Sequence, residues 1–283
     1  MINILKYGIF MYIALIPILL FLILFSKSRK KSKPEKKQKS KIDITGMKWI
    51  GKRKLQEDSY AIFSLSDEEH ILIIADGMGG YSEGQLASQF SVNRFLDLYS
   101  RGDLKIPEII RKINGGLLNF SESLDLKNRI GTTFLVCEII LNKMRIFSVG
   151  DSSAYIVTKE YIRKINKSQN KGSYLTNYIG YEDFDEEGIN ITEINSMKLE
   201  TDEKTGKKKF PVIILMCSDG VDKYLETGTI KRIIEENINK TGKEITELIM
   251  NTLKERRRLN QDNASIILIK TDNKYLQKND VIL

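Results

Sequence analysis

Histidine occurs once in 283 residues and cysteine twice, and these scarcities narrow the chemistry before any motif is read. His70 sits in the charged turn SDEEH. A histidine-rich zinc site is therefore excluded, and a Ser-His-Asp triad would have to use His70 itself. Cys137 in TFLVCEII and Cys217 in VIILMCSDG lie inside apolar runs, which predicts free thiols in a core; two cysteines cannot build a disulfide framework. No repeat of solenoid length is visible. Positive charge is concentrated in one place: residues 27–41 carry nine Lys or Arg against one Glu, a net +8 that equals the formal charge of the whole chain. No aromatic residue interleaves those cations to stack on bases, so nucleic acid is not an expected partner.

What is present begins with one long apolar run. Residues 7–25 (YGIFMYIALIPILLFLILF) contain no charge, and as a helix they would extend roughly 28 Å, about one hydrocarbon core. A secretory signal peptide is the competing reading, but no small-residue cleavage site follows; the basic run SKSRKKSKPEKKQKSK does. Pro17 within the run is tolerated in a membrane helix. Only Lys6 precedes the span, so the positive-inside rule predicts a single-pass protein of the cell membrane with its C-terminal domain in the cytoplasm. The basic run reads as a stop-transfer flank with a solvated linker, and as a surface for anionic inner-leaflet lipids worth up to about 1 kcal/mol per cation. The layout expected is an anchor over 1–26, a polybasic linker over 27–42, a catalytic domain over 43–271 and a tail over 272–283.

At 41% hydrophobic, the chain can bury one full-sized core. Residues 60–65 and 71–75 read as two strands of a hairpin. Residues 83–99 have helical composition with Ala87, Phe90, Phe95 and Leu98 apolar, and Pro107 opens a second helix with a stripe at Ile110, Ile113, Leu117, Phe120 and Leu124. The segments TTFLVCEII, MRIFSVG and AYIV predict an antiparallel meander. A polar stretch over 166–209 reads as a surface insertion with partial structure. The core resumes at FPVIILMCSDG, a helix follows over about 243–258, and ASIILIK closes the pattern as a strand.

The stretch ILIIADGMGG (71–80) sets an acid against the end of an apolar run, and this junction recurs. Four apolar segments abut an aspartate: Asp76, Asp151, Asp219 and Asp262. A single Asp-Gly after a strand is a turn signal; four such junctions point to convergence at one edge of a sandwich, joined by Glu57 and Asp58 from GKRKLQED. Two carboxylates about 4 Å apart repel by roughly 4 kcal/mol at an effective dielectric near 20, so such a cluster needs protons or cations. Oxygen ligands without imidazole or thiolate select Mg²⁺ or Mn²⁺ over zinc or copper, and no EF-hand pattern supports calcium. Glycine after the acid lets backbone approach, which makes the Gly77 carbonyl a candidate ligand. Gly79, Gly80 and Gly84 fit neither G-x-G-x-x-G nor a Walker A, and read as backbone geometry at a metal site.

The ordered set Arg53-x-x-Gln56-Glu57-Asp58, Asp76-Gly77-Met78-Gly79-Gly80 with Gly84 and Ala87-Ser88, Gly131-Thr132-Thr133, Val149-Gly150-Asp151-Ser152, Ser218-Asp219-Gly220 and Asp262-Asn263 resembles the metal-dependent protein phosphatases of the PP2C (PPM) family, in its bacterial branch. The resemblance covers roughly residues 51–270. It implies an α+β fold, a four-layer α/β/β/α sandwich of two antiparallel sheets flanked by helices. It further implies hydrolysis of phosphoserine and phosphothreonine by attack of a metal-bridging water on phosphorus, without a phosphoenzyme. By motif position, Asp76 would bridge two Mn²⁺ or Mg²⁺ ions, with the Gly77 carbonyl on one and Asp219, Asp262 and Glu57 on the other. Asp58 would hold a metal-bound water, Arg53 would pair with the substrate phosphate, and Asp151 would help hold a third ion. Asn263 is expected to fix its own turn, and Thr132 and Thr133 to pack or hydrogen-bond where a strand begins.

Two departures from the family pattern stand out. Ser153 occupies a position where relatives often carry Arg, and INKSQNKG stands where an Asp-His pair precedes the flap segment SYLTNYIG. They bear on flap-dependent substrate choice and on the third ion. By family analogy the partners are phosphoproteins, a membrane Ser/Thr kinase and its targets among them, in a signalling role. Two other readings are a catalytically silent phosphoprotein-binding module on the same fold, which the intact acid set argues against, and a membrane scaffold whose basic linker is the functional part.

Overall fold

A computed structural model describes residues 42–79, 82–126, 130–141, 143–172, 174–195 and 211–271. The apolar run at 7–25 and the polybasic segment lie outside the described residues; among the described residues no helix is long and apolar enough to cross a membrane. In chain order the elements are β1 (Ile42–Trp49), β2 (Asp58–Ser64), β3 (Glu69–Met78), α1 (Glu83–Ser100), α2 (Ile106–Ser123), β4 (Gly131–Thr132), β5 (Phe134–Ile140), β6 (Lys143–Val149) and β7 (Ser153–Val157). There follow β8 (Ile162–Lys164), β9 (Asn170–Lys171), β10 (Tyr174–Leu175), β11 (Asn190–Asn195), β12 (Ile213–Cys217), α3 (Asp219–Asp222), α4 (Thr227–Glu236), α5 (Gly242–Glu255) and β13 (Ala264–Thr271).

Two antiparallel sheets face each other. One runs β11-β6-β5-β3-β2, with β4 added beside β3; the other runs β1-β13-β12-β7-β8. Side chains alternate across each strand, and both faces of the central strands are covered. On β3, Ile71 and Ile73 pack under α1 and α2 with Phe95, Ile110 and Leu117, while Leu72 and Ile74 point between the sheets towards Ile156, Ile214 and Ile267. On β12, Leu215 and Cys217 turn outward against Ile230, Ile234, Ile245 and Ile249 of α4 and α5. Burial on both faces is why ILII and VIILMC read as unbroken apolar runs. Both thiols are free and buried.

The hairpin of β2 and β3 stands as the sequence predicts, and His70 belongs to it. Its ring bonds the Ser64 hydroxyl (2.7 Å) and the Asp67 carbonyl (3.3 Å) at the turn, six residues and about 20 Å along the strand from Asp76. Strand β3 does not end on Asp76, however; it runs on to Met78. The helical stripes hold at Ala87, Phe95 and Leu98 and at Ile110, Ile113 and Leu117, but Leu124 caps α2 and is 46% exposed.

The meander breaks where the sequence predicts a third paired strand. Strands β5 and β6 pair, but β7 crosses to the opposite sheet between β12 and β8. Gly150 makes the corner at φ +96°, with Thr133 so close that a side chain could not fit. Asn166 fastens the crossing: its Oδ1 accepts from the Ala154 amide (2.8 Å), and its Nδ2 donates to the Ser152 carbonyl (2.9 Å) and the Ser148 hydroxyl (3.2 Å). The polar stretch is thus partly structural. Strand β11 extends a sheet beside β6 and Ile179 is buried, while 196–210 lie outside the described residues. Elements without a sequence expectation include β1, whose Gly46 admits the Tyr60 ring, and α4, a short helix burying Ile230, Ile233 and Ile234.

Candidate active site

The sandwich brings the aspartate junctions to one end. Asp58 opens β2 directly opposite Asp76 on β3, Asp151 follows the end of β6, Asp219 follows Ser218 at the end of β12, and Asp262 precedes β13. Because these strands are antiparallel neighbours, starts and ends alternate at the same edge. Glu57, Asp76, Gly77, Asp151, Asp219 and Asp262 line one open cleft of about 230 Å³ together with Arg53, Thr133, Lys223 and Asn263. Asp58 lies buried just beneath it.

Each acid is held from its backbone or by one oxygen. The Asp76 amide donates to the Thr133 hydroxyl (3.0 Å), and its carbonyl accepts from the Thr132 hydroxyl and the Thr133 amide (both 2.9 Å). Thr133 in turn bonds Ser152 (2.8 Å), beside Asp151. Asp58 accepts from the Ser218 hydroxyl on Oδ2 (2.7 Å), while its Oδ1 is buried without a partner. Glu57 donates its amide to Asn263 Oδ1 (2.7 Å) and accepts from Ser88 on its carbonyl (2.6 Å); its Oε1 is also buried and unpartnered. Gly77 and Gly84 approach so closely that a Cβ on Gly84 would lie 2.5 Å from Glu57 Oε1, so glycine there keeps that carboxylate in place. Arg53 pairs with Asp262 (2.6 Å) and Lys223 with Asp219.

The electrostatics are those of a site short of positive charge. Burial pushes the Asp58 carboxyl up to about 7, against the Ser218 and Ser265 hydroxyls, and the Asp219 and Asp262 charges add to the rise. Asp76 is driven well above the carboxylate range, first by burial and then by Asp58, Asp219, Asp262 and Asp151. Burial also raises Glu57 and Asp151. As the side chains stand, no three acid, imidazole or thiol groups among the described residues gather tightly enough to enclose a cation. The donor set nevertheless fits a hard divalent ion: it is all oxygen, and two buried carboxylate oxygens, Glu57 Oε1 and Asp58 Oδ1, have nothing else to bind.

The family model described as protein phosphatase 2C matches residues 45–261. The chain belongs to the protein phosphatase 2C family. Among proteins similar to it, the serine/threonine phosphatase stp of Listeria monocytogenes serotype 4b (strain F2365) is 25% identical over 236 residues, covering 76% of this chain and 90% of that one. A putative protein phosphatase of Mycoplasma genitalium is 21% identical over 221 residues, 66% of this chain and 80% of its own. In fold, the chain is similar to the serine/threonine phosphatase Stp1 of Staphylococcus aureus (TM-score 0.68, 20% identity, covering 82% of this chain and 95% of that one). It is equally similar to the S. agalactiae serine/threonine phosphatase (0.68, 19%, 81% and 99%).

Within this 2C-family site, several residues do more than the sequence suggested. Asn263 does not merely fix its own turn: besides the Glu57 amide, it donates to the carbonyls of Ile50 (2.8 Å) and Leu55 (3.0 Å), and so clamps the loop that carries Arg53 and Glu57. Asn263→Ala would leave those groups unpaired at about 1–3 kcal/mol each if they stay buried. The expected result is a melting temperature lowered by about 5 °C or more and a higher KM, read by calorimetry and steady-state kinetics. Thr132 and Thr133 are backbone fasteners for Asp76, in line with hydrogen bonding at a strand start. Ser153 is not an empty departure, since its hydroxyl donates to Asp222, which also accepts from Tyr155 (3.1 Å). From INKSQNKG, Gln169 accepts from the Gly150 amide (2.9 Å) and Asn170 donates to Asp151 (3.4 Å). Lys223 was not foreseen at all; its one signal was its place four residues after Asp219. Gly80 lies outside the described residues.

Proposed function

We propose that this chain is a metal-dependent phosphatase of phosphoserine and phosphothreonine proteins, held at the cytoplasmic side of the cell membrane by its N-terminal apolar run. Membership of the 2C family supplies the enzyme class. The observation that supports metal dependence is the cleft: five lining carboxylates with Arg53 among them, and beneath them Asp58, with a buried oxygen that lacks a partner.

Glu57, Asp58, Asp76, the Gly77 carbonyl, Asp219 and Asp262 are the donors that would hold two Mn²⁺ or Mg²⁺ ions, with Asp151 at the periphery. Such ions supply Lewis acidity to water and to the phosphoryl oxygens. Arg53 is half exposed and spends one Nη on Asp262, leaving further donors for an incoming phosphate. Asp262 thereby orients the guanidinium. Thr132 and Thr133 hold Asp76 against the repulsion of its neighbours, and Asn263 sets the height of the Arg53 loop. Among the described residues the lining offers no imidazole or thiol, and the Thr133 hydroxyl is already engaged, in keeping with direct attack by water.

An anchor over 1–26 concentrates the domain over 43–271 near membrane-bound phosphoproteins, a Ser/Thr kinase and its targets among them. The cations of 27–42 rest on anionic inner-leaflet lipids. The test uses the full chain in detergent with a phosphothreonine peptide. Phosphate release should require Mn²⁺ and stop in EDTA, and the chain should sediment with membranes unless residues 1–26 are deleted. Turnover that persists in EDTA refutes metal dependence, and an unchanged distribution after the deletion refutes the anchor.

A further inference from the structure

We infer that Lys223 is a built-in cation of the cleft, occupying the place of a divalent ion between Asp219 and Asp151, so that this chain takes two ions where its acids alone would call for a third. The inference rests on the metal-dependent reading above and adds how many ions the site accepts.

The geometry begins at the short helix α3. Lys223 closes it, and its amide donates to the Asp219 carbonyl (3.0 Å). Residues four apart on a helix share a face, so the Lys223 side chain returns over Asp219 and its ammonium bonds Asp219 Oδ2. The neighbouring acid does not compete for it. Asp222 turns the other way, into bonds from Ser153 and Tyr155. Lys223 therefore serves the cleft, which it lines beside Asp151 and Asp76. Asp151, the other acid on this side, receives the Asn170 amide on Oδ2. The two carboxylates at the cleft's outer edge thus already have partners from the chain, whereas Glu57 Oε1 and Asp58 Oδ1 deeper in have none.

Charge counting agrees. The cluster holds six carboxylates, Glu57, Asp58, Asp76, Asp151, Asp219 and Asp262, and its cations are Arg53 and Lys223. With all six ionised, as bound cations would keep them, four negative charges remain, the complement of two divalent ions; without Lys223 a fifth would be left, and a further ion would be needed to offset it. Unlike a bound ion, the ammonium is covalently attached and no chelator removes it.

The experiment counts metal rather than turnover. The full chain in detergent is dialysed against saturating free Mn²⁺ and the bound metal per chain is measured by mass spectrometry, alongside Lys223→Ala, Lys223→Asp and Lys223→Arg, each checked for native circular dichroism. About two Mn²⁺ are expected for the unaltered chain and for Lys223→Arg, and about three for Lys223→Asp and Lys223→Ala. Three ions on the unaltered chain, or equal numbers in all four proteins, overturn the inference while leaving metal dependence intact. The unaltered chain decides the first of these even if a variant fails to fold. No bound Mn²⁺ in any of them overturns both readings together.

Discussion

Asp219→Ala is expected to lower phosphate release from a phosphothreonine peptide by about 10³-fold or more, the scale on which deleting one preorganised charge-stabilising group acts. The Asp219 carboxylate sits where β12 gives way to α3, lines the cleft, and among the described residues bonds only Lys223. Its removal subtracts one charge from the cluster and leaves the Lys223 ammonium facing Asp151 and Asp76 instead. Nothing in the core depends on it: the neighbouring Cys217 and Val221 are packed by α4, α5 and β13, so the melting temperature should change by only a few degrees. Kinetics and calorimetry on one preparation separate the outcomes. Turnover close to that of the unaltered chain removes Asp219 from the machinery, and a large fall in melting temperature assigns it to the fold. Arg53→Ala is the useful contrast: under the proposed function, in which Arg53 pairs with substrate phosphate, its loss should show in KM as well as kcat.

The protein stripped of metal should be less stable at pH 8 than at pH 5, the reverse of ordinary acid denaturation. Asp58 has an ordinary carboxyl pKa of 3.8 when unfolded and about 7 in the fold, raised chiefly by burial. Between those values the folded chain holds a proton that the unfolded chain has released, so stability falls as pH rises through the window and stays low above it. Asp76, also raised by burial, acts in the same direction, as do Glu57 and Asp151. For a shift of this size the cost is on the order of a few kcal/mol, a drop of about 5 °C or more in melting temperature for a domain this large. Saturating Mn²⁺ should restore the loss at pH 8, since an ion that binds only the folded state stabilises it by roughly 2.7 kcal/mol at a hundredfold excess over Kd. Asp58→Asn should raise the pH 8 melting temperature of the stripped protein and weaken its response to Mn²⁺. A stripped protein whose melting temperature rises steadily from pH 5 to pH 8 contradicts the assignment.

The sequence by itself determined the strands, the main helices and the identity of the acids. Continuous runs such as ILII and VIILMC mark strands covered on both faces, three-four spacing marks the helical stripes of α1, α2 and α5, and an acid beside each of four runs marks one edge. These are local signals, carried by residues within a few positions of each other. The destination of β7 was not among them, because AYIV is apolar on both faces and pairs equally well with either sheet; the corner at Gly150 and the bonds of Asn166 decide it. Nor were the partners of the acids. Arg53 meets Asp262 across 209 residues of chain, Ser218 reaches Asp58 across 160, and Asn263 clamps the Leu55 loop across 208. Only the stacking of two sheets in one register brings those groups within hydrogen-bonding distance. Lys223 shows the same division within a single turn of helix. Its spacing from Asp219 is plain in the sequence, but that its ammonium lines the cleft while Asp222 turns to Ser153 and Tyr155 follows from where β12 ends and which way α3 faces.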